Sequence, residues 1–215
     1  MAARVWSIEN QKGGTTKTTT ATNIAACLTQ EHGKSVLLVD LDGRQGSSSD
    51  WAASRDDAAP LIPCVIMRET LKRDLPRISA GYDYVIIDGI PNISELTSAA
   101  IKASDLVLVP VQPSQYDIWA TSDIISLIKE RQELTGGAPR AVIMVARAIV
   151  GTNIERSAKE AMAEFGFPVL KAQTHQRVAY VEGVVKGLSV MDLPKGDPAR
   201  QEIEAITLEL LEADK

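Results

Sequence analysis

Cysteine is scarce in this 215-residue sequence, and the two that occur, Cys27 and Cys64, stand far apart with no CxxC or Cys/His companion. Neither a disulfide framework nor a metal site is suggested, and both are expected to be small core side chains. Long apolar runs are missing as well. The N-terminal MAARVWSIEN enters strand-like sequence without an apolar signal core, and no run approaches the roughly 20 apolar residues that a membrane span needs. A cytoplasmic protein is expected. Positive charge is in deficit, with 23 Lys+Arg against 28 Asp+Glu and a formal net charge of -5. That argues against coating nucleic acid by bulk charge, so any DNA binding must come from a local basic patch. Internal repeats, low-complexity tracts and an interdomain linker are not seen. With 45% hydrophobic residues the chain is long enough to bury one substantial core, and one domain over residues 1–215 is expected.

What is present is an alternation of short β-rich runs with longer helical patterns, the signature of parallel strands joined by helical crossovers. Strands are predicted at Val5 to Glu9, Ser35 to Val39, Cys64 to Met67, Tyr84 to Ile87, Leu106 to Val109, Ala141 to Ala146 and Pro168 to Leu170. Runs such as VLLV, YVIID and LVLVP are apolar on both faces, which only a sheet covered by helices on both sides can bury. The predicted fold class is therefore α/β, a mostly parallel twisted sheet between two helical layers. Helices are predicted at Thr18 to Glu31 with Gly33 as its left-handed cap, at Ile118 to Leu134 before Gly136 and Gly137, and at Ser94 to Ala103, Asn153 to Phe165, Val178 to Lys186 and Pro198 to Glu212. Asp42 to Asp50 reads as the most loop-like stretch, at a strand end where open α/β sheets place ligands.

Three constellations carry chemistry. QKGGTTKTT, residues 11 to 19, lies between a β run and a helix: consecutive glycines turn backbone amides toward an anion, Lys17 supplies charge, and Thr18 is suited to ligate Mg²⁺. It is a phosphate cradle, although Gln11 and Thr16 occupy the two positions where the strict GxxxxGK[ST] pattern has glycine; the competing reading is a flexible surface turn containing lysine. In VLLVDLDGRQGSSSDW, Asp40 and Asp42 end an apolar strand. They are expected to point to opposite faces, one toward metal and phosphates and the other toward water, although strand ends also simply tolerate aspartate. YDYVIIDGIP drives a buried strand into Asp88, where a phosphate-loop enzyme holds its magnesium shell.

Together these motifs resemble the ParA family of partition ATPases, deviant P-loop NTPases in the larger group that includes MinD and the nitrogenase iron protein. The resemblance runs from about Val5 to Ala205, through KGGxxKTT, the paired aspartates with QGSSSDW, VIIDGxP, LVLVPVQPS and THQRVAYVEGVVKGLSV. No N-terminal extension for a helix-turn-helix is seen, so the small ParA form is expected. The resemblance implies ATP and Mg²⁺ as cofactors. Lys17 contacts the β- and γ-phosphates, the amides of Gly13, Gly14, Thr15, Thr16, Lys17, Thr18 and Thr19 wrap them, and Thr18, Asp40 and Asp88 serve the metal. Lys12 matches the signature lysine that reaches across a sandwich homodimer to the partner's nucleotide, Asp42 positions the attacking water, and the segment around Pro194 to Asp197 lies against adenine.

Also implied are nonspecific DNA binding on the nucleoid, a centromere-binding adaptor of the ParB kind that stimulates hydrolysis, and a plasmid or chromosome as cargo. Basic candidates for DNA are Arg147, Lys171, Arg177, Lys186, Lys195 and Arg200, of which Arg177 and Lys186 fall within the family-like stretch. Two departures stand out. Thr16 replaces the usual glycine before the phosphate-binding lysine, which strains a β-branched residue if the position needs positive φ. Gly43 and Arg44 replace a single proline, altering the loop over the γ-phosphate, and slow hydrolysis is expected. Alternatives are a MinD-like membrane ATPase, disfavoured by the acidic QEIEAITLELLEADK, a nitrogenase-like reductase, which lacks cluster-ligand cysteines, and a noncatalytic nucleotide-binding adaptor.

Overall fold

The computed structural model describes residues 2–43, 47–55, 60–150 and 154–215; Arg44 lies outside them. Strands β1 (Arg4–Ile8), β2 (Val36–Asp40), β3 (Cys64–Ile66), β4 (Tyr84–Asp88), β5 (Leu106–Val111) and β6 (Arg140–Val145) form one sheet in the order β3-β2-β4-β1-β5-β6. Every pairing is parallel. The helices are α1 (Lys17–Gln30), α2 (Ser47–Ala53), α3 (Leu71–Ile78), α4 (Glu95–Ala103), α5 (Gln115–Thr135), α6 (Ile154–Ala163), α7 (Ala179–Glu182) and α8 (Pro198–Ala213).

Alternation along each strand assigns the two faces. Trp6, Ile8, Leu38, Ile86 and Leu108 pack under α1 and α8, against Ile24, Leu28, Ile203, Ile206 and Leu210. Their neighbours Val5, Leu37, Val39, Val85 and Ile87 lie under Leu71 and Leu75 of α3 and Ala100 of α4. Val107, Val109, Ile143 and Val145 continue that second face under α5 and α6. The expected helical layers on both sides of the sheet are thus observed. Ser94 and Ser114 cap α4 and α5 by accepting from Thr97 N and Asp117 N, and α5 stops at Gly136, φ 72°.

Five expectations change. Pro168 to Leu170 is reduced to a single parallel bridge, Ile143 to Val169. Val178 to Lys186 splits into α7 and a 3₁₀ turn, Val184–Lys186. Helix α2 begins inside the loop-like stretch, and α3 forms where the sequence pattern predicts no helix. Cys27 is buried in the core, but Cys64 is only partly so.

Strand order fixes where a ligand sits. From β1 the chain crosses to β2 on one side, whereas β4 leads to β5 on the other, so the winding reverses at β1. Crevices beyond the carboxyl ends of strands at such a reversal are the ligand sites of open α/β sheets.

Candidate nucleotide site

Beyond the end of β1 the chain makes the loop 9–16 and enters α1. Asn10 anchors it: its side-chain amide donates to Pro110 O (2.9 Å), and its Oδ1 accepts from Lys12 N (3.0 Å). Gln112 holds the opposite edge by donating to Gly14 O at 2.7 Å. Helix α1 then starts at Thr16 in the left-handed region (φ 69°, ψ 18°), with no side-chain cap. Its first amides are therefore left to whatever anion the cavity receives.

The strain expected at Thr16 is thus present in the backbone. A β-branched residue in this region costs about 1–3 kcal/mol, from which the larger unfolded-state entropy of glycine, roughly 0.5–1 kcal/mol, must be subtracted in a substitution. Thr16→Gly is expected to raise stability by about 0.5–2 kcal/mol in thermal unfolding, and an unchanged Tm would remove the strain argument.

Lys17 is 6% exposed, and its Nζ donates to Lys12 O at 3.1 Å. Burial lowers its pKa, while Asp88, Glu9 and Asp42 pull it back up. The acids come from adjacent strand ends. Asp40 and Asp88 are register partners across β2 and β4, 1% and 3% exposed. Asp40 spends both oxygens on the chain that follows, accepting from Asp42 N (2.8 Å) and Ser49 N (3.0 Å).

Opposite facing of Asp40 and Asp42 is corrected on two counts. Residues two apart in a strand share a face, and β2 ends at Asp40, leaving half-buried Asp42 in the turn. Their environments differ through burial and hydrogen bonding instead. Gly43 follows in that turn, where a Cβ would stand 2.7 Å from Ile66 Cγ2, so the position admits only glycine without a shift.

Asp88 accepts from Ser48 Oγ at 2.5 Å, and its carboxyl is pushed up to about 6, mainly by burial, with the Ser48 hydrogen bond and the nearby Thr18 hydroxyl opposing and the Asp40 charge reinforcing. Its Oδ1 is buried without a donor among the described residues. Beneath it lies Glu9, wholly buried, with both oxygens unpartnered among those residues and its pKa raised well above normal by burial. Gly89 makes room for it: a Cβ there would fall 2.3 Å from Glu9 Oε2. An orphaned carboxylate oxygen beside Thr18 and Asp40 suits a hard cation. No cluster of three His, Cys, Asp or Glu arranged for a metal occurs among the described residues. Phosphate and water would therefore complete the shell, as Mg²⁺ commonly requires.

One cavity of about 880 Å³ gathers these groups. Gly13 to Thr20, Asp40, Asp42, Ser47, Asp88 and Gly89 line one side, and Arg147, residues 174–178, Tyr180, Val181, Val184 and Ile203 the rest. That size falls within the range of small-molecule sites, roughly 300–1,000 Å³. Pro194 and Asp197 are not among the lining residues; Asp197 caps α8, accepting from Ala199 N at 2.8 Å. Lys12 is likewise absent from the lining and pairs with Asp117 Oδ1 of α5 at 2.7 Å. The wall opposite the phosphate loop is organised by Glu202, which accepts from His175, Arg177 and Tyr180.

Of the basic candidates, Arg200 is corrected: it is 7% exposed, donates to Met191 O and Leu193 O, and pairs with Glu31 and Glu204. It ties α8 to α1 and has no surface to offer DNA. Arg177 is engaged by Glu202 at 2.7 Å. Lys171 and Lys186 are exposed, as is Lys195, which lies 3.8 Å from Glu31.

A family model described as an AAA domain matches residues 3–70 and 59–136, together more than half of the chain. Among curated relatives, the maintenance of carboxysome distribution protein A of Gloeobacter kilaueensis is 32% identical over 92% of this chain and 88% of its own. Its counterpart in Halothiobacillus neapolitanus is 29% identical over 95% of both chains, and the chromosome partitioning protein ParA of Caulobacter vibrioides is 27% identical over 87% and 86%.

The chain belongs to the ParA family of ATPases.

Solved ParA/MinD-type folds agree. A Cyanothece McdA–ATP complex superposes with a TM-score of 0.79 at 18% identity, covering 99% of this chain and 96% of that one. MinD of Pyrococcus horikoshii complexed with Mg-ADP gives 0.75 at 18%, covering 97% and 96%. At such identities the likeness is one of fold. In this ParA-family chain the sequence motifs single out Lys17, Thr18, Asp40, Asp42 and Asp88, and the fold brings them around one cavity. Glu9, Ser48, Asp117 and the wall from Thr174 to Val184 carry no role in those motifs. The stretch THQRVAYVEGVVKGLSV is the available signal for the wall, and the SSS run for Ser48.

Proposed function

We propose that this ParA-family chain is one ATPase unit whose ATP-bound homodimer binds DNA nonspecifically and positions a cargo, and that hydrolysis resets it. The observation that carries this reading is the convergence of the phosphate loop, Lys17, Asp40, Asp42 and Asp88 on a single cavity. Gly13 to Thr19 hold the phosphates. Thr18 and Asp88 face Mg²⁺, with Asp40 acting through water because each of its oxygens already accepts an amide. Asp42, half-buried at the cavity edge, orients the attacking water. Lys12 acts in trans on the partner's nucleotide. Hydrolysis then removes the contacts that favoured the dimer, since a ligand shifts an equilibrium only by its differential affinity.

DNA contact falls to exposed cations such as Lys186 and Lys171, joined in pairs by dimerisation, on a nucleoid-associated protein of the cytoplasm. An adaptor with the role of a ParB protein stimulates turnover. The near end-to-end match to carboxysome distribution proteins supports a protein body as cargo alongside a plasmid or chromosome. A MinD-like use of the C-terminal helix is disfavoured: Ile203, Ile206 and Leu210 of α8 are spent on the core.

The test is sedimentation with DNA in ATP, ADP and no nucleotide. ATP-dependent co-sedimentation that weakens steeply with salt supports the proposal, because phosphate contacts release counterions. Equal binding without ATP, or salt-insensitive binding, contradicts it. Asp42→Ala is expected to lose turnover by about 10²-fold, the scale of a positioned proton-transfer group, while retaining ATP-dependent DNA binding. Retained turnover would assign the water to another residue, and a wild type without multiple turnover would favour the noncatalytic adaptor.

A further inference from the structure

Among the described residues, two that are not glycine have positive φ: Thr16 at 69° and Arg147 at 56°. Both line the same cavity, Thr16 on the phosphate loop and Arg147 on the wall beyond β6. Thr16 belongs to a motif read from the sequence, whereas Arg147 belongs to none.

The chain around Arg147 is fixed on both sides. Ala146 N donates to Val111 O (2.9 Å), and Ala148 N donates to Thr174 O (2.9 Å) while Ala148 O accepts from Gln176 N (2.9 Å). Ala146 and Ala148 are completely buried. Between them, Arg147 N donates to Thr174 Oγ1 at 3.1 Å, and the left-handed kink turns the long side chain outward, where it is exposed. Glycine adopts this conformation freely and arginine does not, and outliers of this kind gather at ligand sites.

Charge supplies an independent argument. Among the described residues, three cations line the cavity: Lys17, Arg147 and Arg177. Lys17 is buried in the loop and donates to Lys12 O, and Arg177 is held by Glu202 at 2.7 Å. Arg147 has no carboxylate partner among the described residues. Among the described residues it is the lining guanidinium left to meet an incoming anion, with a planar donor fork suited to phosphate.

We propose that Arg147 is a nucleotide-contact residue whose guanidinium pairs with the polyphosphate of the bound nucleoside triphosphate from the β6 side of the cavity. This rests on the nucleotide reading above and removes Arg147 from the DNA-binding candidates.

The experiment is calorimetric titration of the full chain with Mg-ATP and with adenosine, for wild type, Arg147→Gly and Arg147→Lys, together with thermal unfolding of each without ligand. Arg147→Gly relieves the kink and is expected to melt roughly 2–4 °C higher, yet to bind ATP about 10-fold more weakly with adenosine affinity unchanged. Arg147→Lys, which keeps the charge and the kink, is expected to recover some of the ATP affinity without the gain in Tm. A purely structural arginine would move Tm and leave the ATP-to-adenosine ratio alone. ATP affinity within twofold of wild type in Arg147→Gly overturns the assignment, as does an equal loss for adenosine. Weakened DNA co-sedimentation with intact ATP affinity overturns it in favour of a DNA contact. No heat from wild type with ATP sinks the nucleotide reading itself, and this assignment with it.

Discussion

Lys12→Ala is expected to lower ATP turnover by about 10³-fold or more while leaving ATP affinity within a few-fold, because a cation supplied in trans to γ-phosphate charge is worth roughly 10³–10⁵ in rate. Geometry separates Lys12 from Lys17. Lys12 O accepts from both Thr15 Oγ1 and Lys17 Nζ at 3.1 Å, so its backbone belongs to the loop, but its side chain is not in the cavity lining. The ammonium instead lies 2.7 Å from Asp117 Oδ1 in the first turn of α5, where Ser114 Oγ also donates to the carboxylate. The Lys12 side chain is 43% exposed and that of Asp117 only 9%, so the ammonium keeps contact with water while a buried carboxylate holds it. A partner's phosphate would have to compete with that carboxylate for the charge. Turnover per chain should rise with protein concentration in wild type and be flat in Lys12→Ala, measured by steady-state phosphate release. A loss of less than 10-fold, or the same concentration dependence in both, would mean that Lys12 does not act across a dimer.

Much of the sheet was legible because its strands are apolar on both faces: VLLV and YVIID can be buried only between helical layers, and both became central strands. Legibility ended where tertiary contacts outweighed local pattern. The end of Asp42 to Asp50, with its SSS run, reads as loop because serine favours caps and turns. It is helical where Trp51 Nε1 donates to Leu188 O at 3.0 Å and Arg55 lies over the Trp51 ring and donates to Gly187 O. In α3, Lys72, Arg73, Asp74, Pro76 and Arg77 hide an apolar contact of Leu71, Leu75 and partly buried Ile78. At the site, residues with a motif around them were found, and those defined by juxtaposition were not. Glu9 reads as a strand residue before a loop, and only the approach of Gly89 shows that it is sealed in. Arg200 reads as a basic surface residue until Glu31, 169 positions earlier, closes over it.

Asp88→Asn should make the ligand-free chain more stable near neutral pH and at the same time weaken Mg²⁺-dependent nucleotide binding. The carboxyl titrates at about 6 in the folded chain against an ordinary 3.8, because burial penalises its charge. A folded-state pKa above the unfolded one means that the native chain binds the proton more tightly. Its contribution is fully present below about pH 4 and is lost as pH rises through about 6; the ionised form then opposes folding by about 3 kcal/mol. Asparagine keeps an oxygen to accept from Ser48 Oγ without the charge. In urea unfolding without nucleotide or Mg²⁺, the variant is expected to exceed wild type by up to about 3 kcal/mol at pH 7.5, and the gap should shrink by about 2 kcal/mol at pH 4.5. Glu9, buried nearby, has its own pKa raised mainly by burial and further by the Asp88 charge, so the difference between the two proteins reports Asp88 together with its coupling to Glu9. A gap that is absent at pH 7.5, or equal at the two pH values, would show that Asp88 carries no such burden. With the gap confirmed, the carboxylate is kept at a cost to folding, and the orphaned Oδ1 marks where a bound cation would offset it.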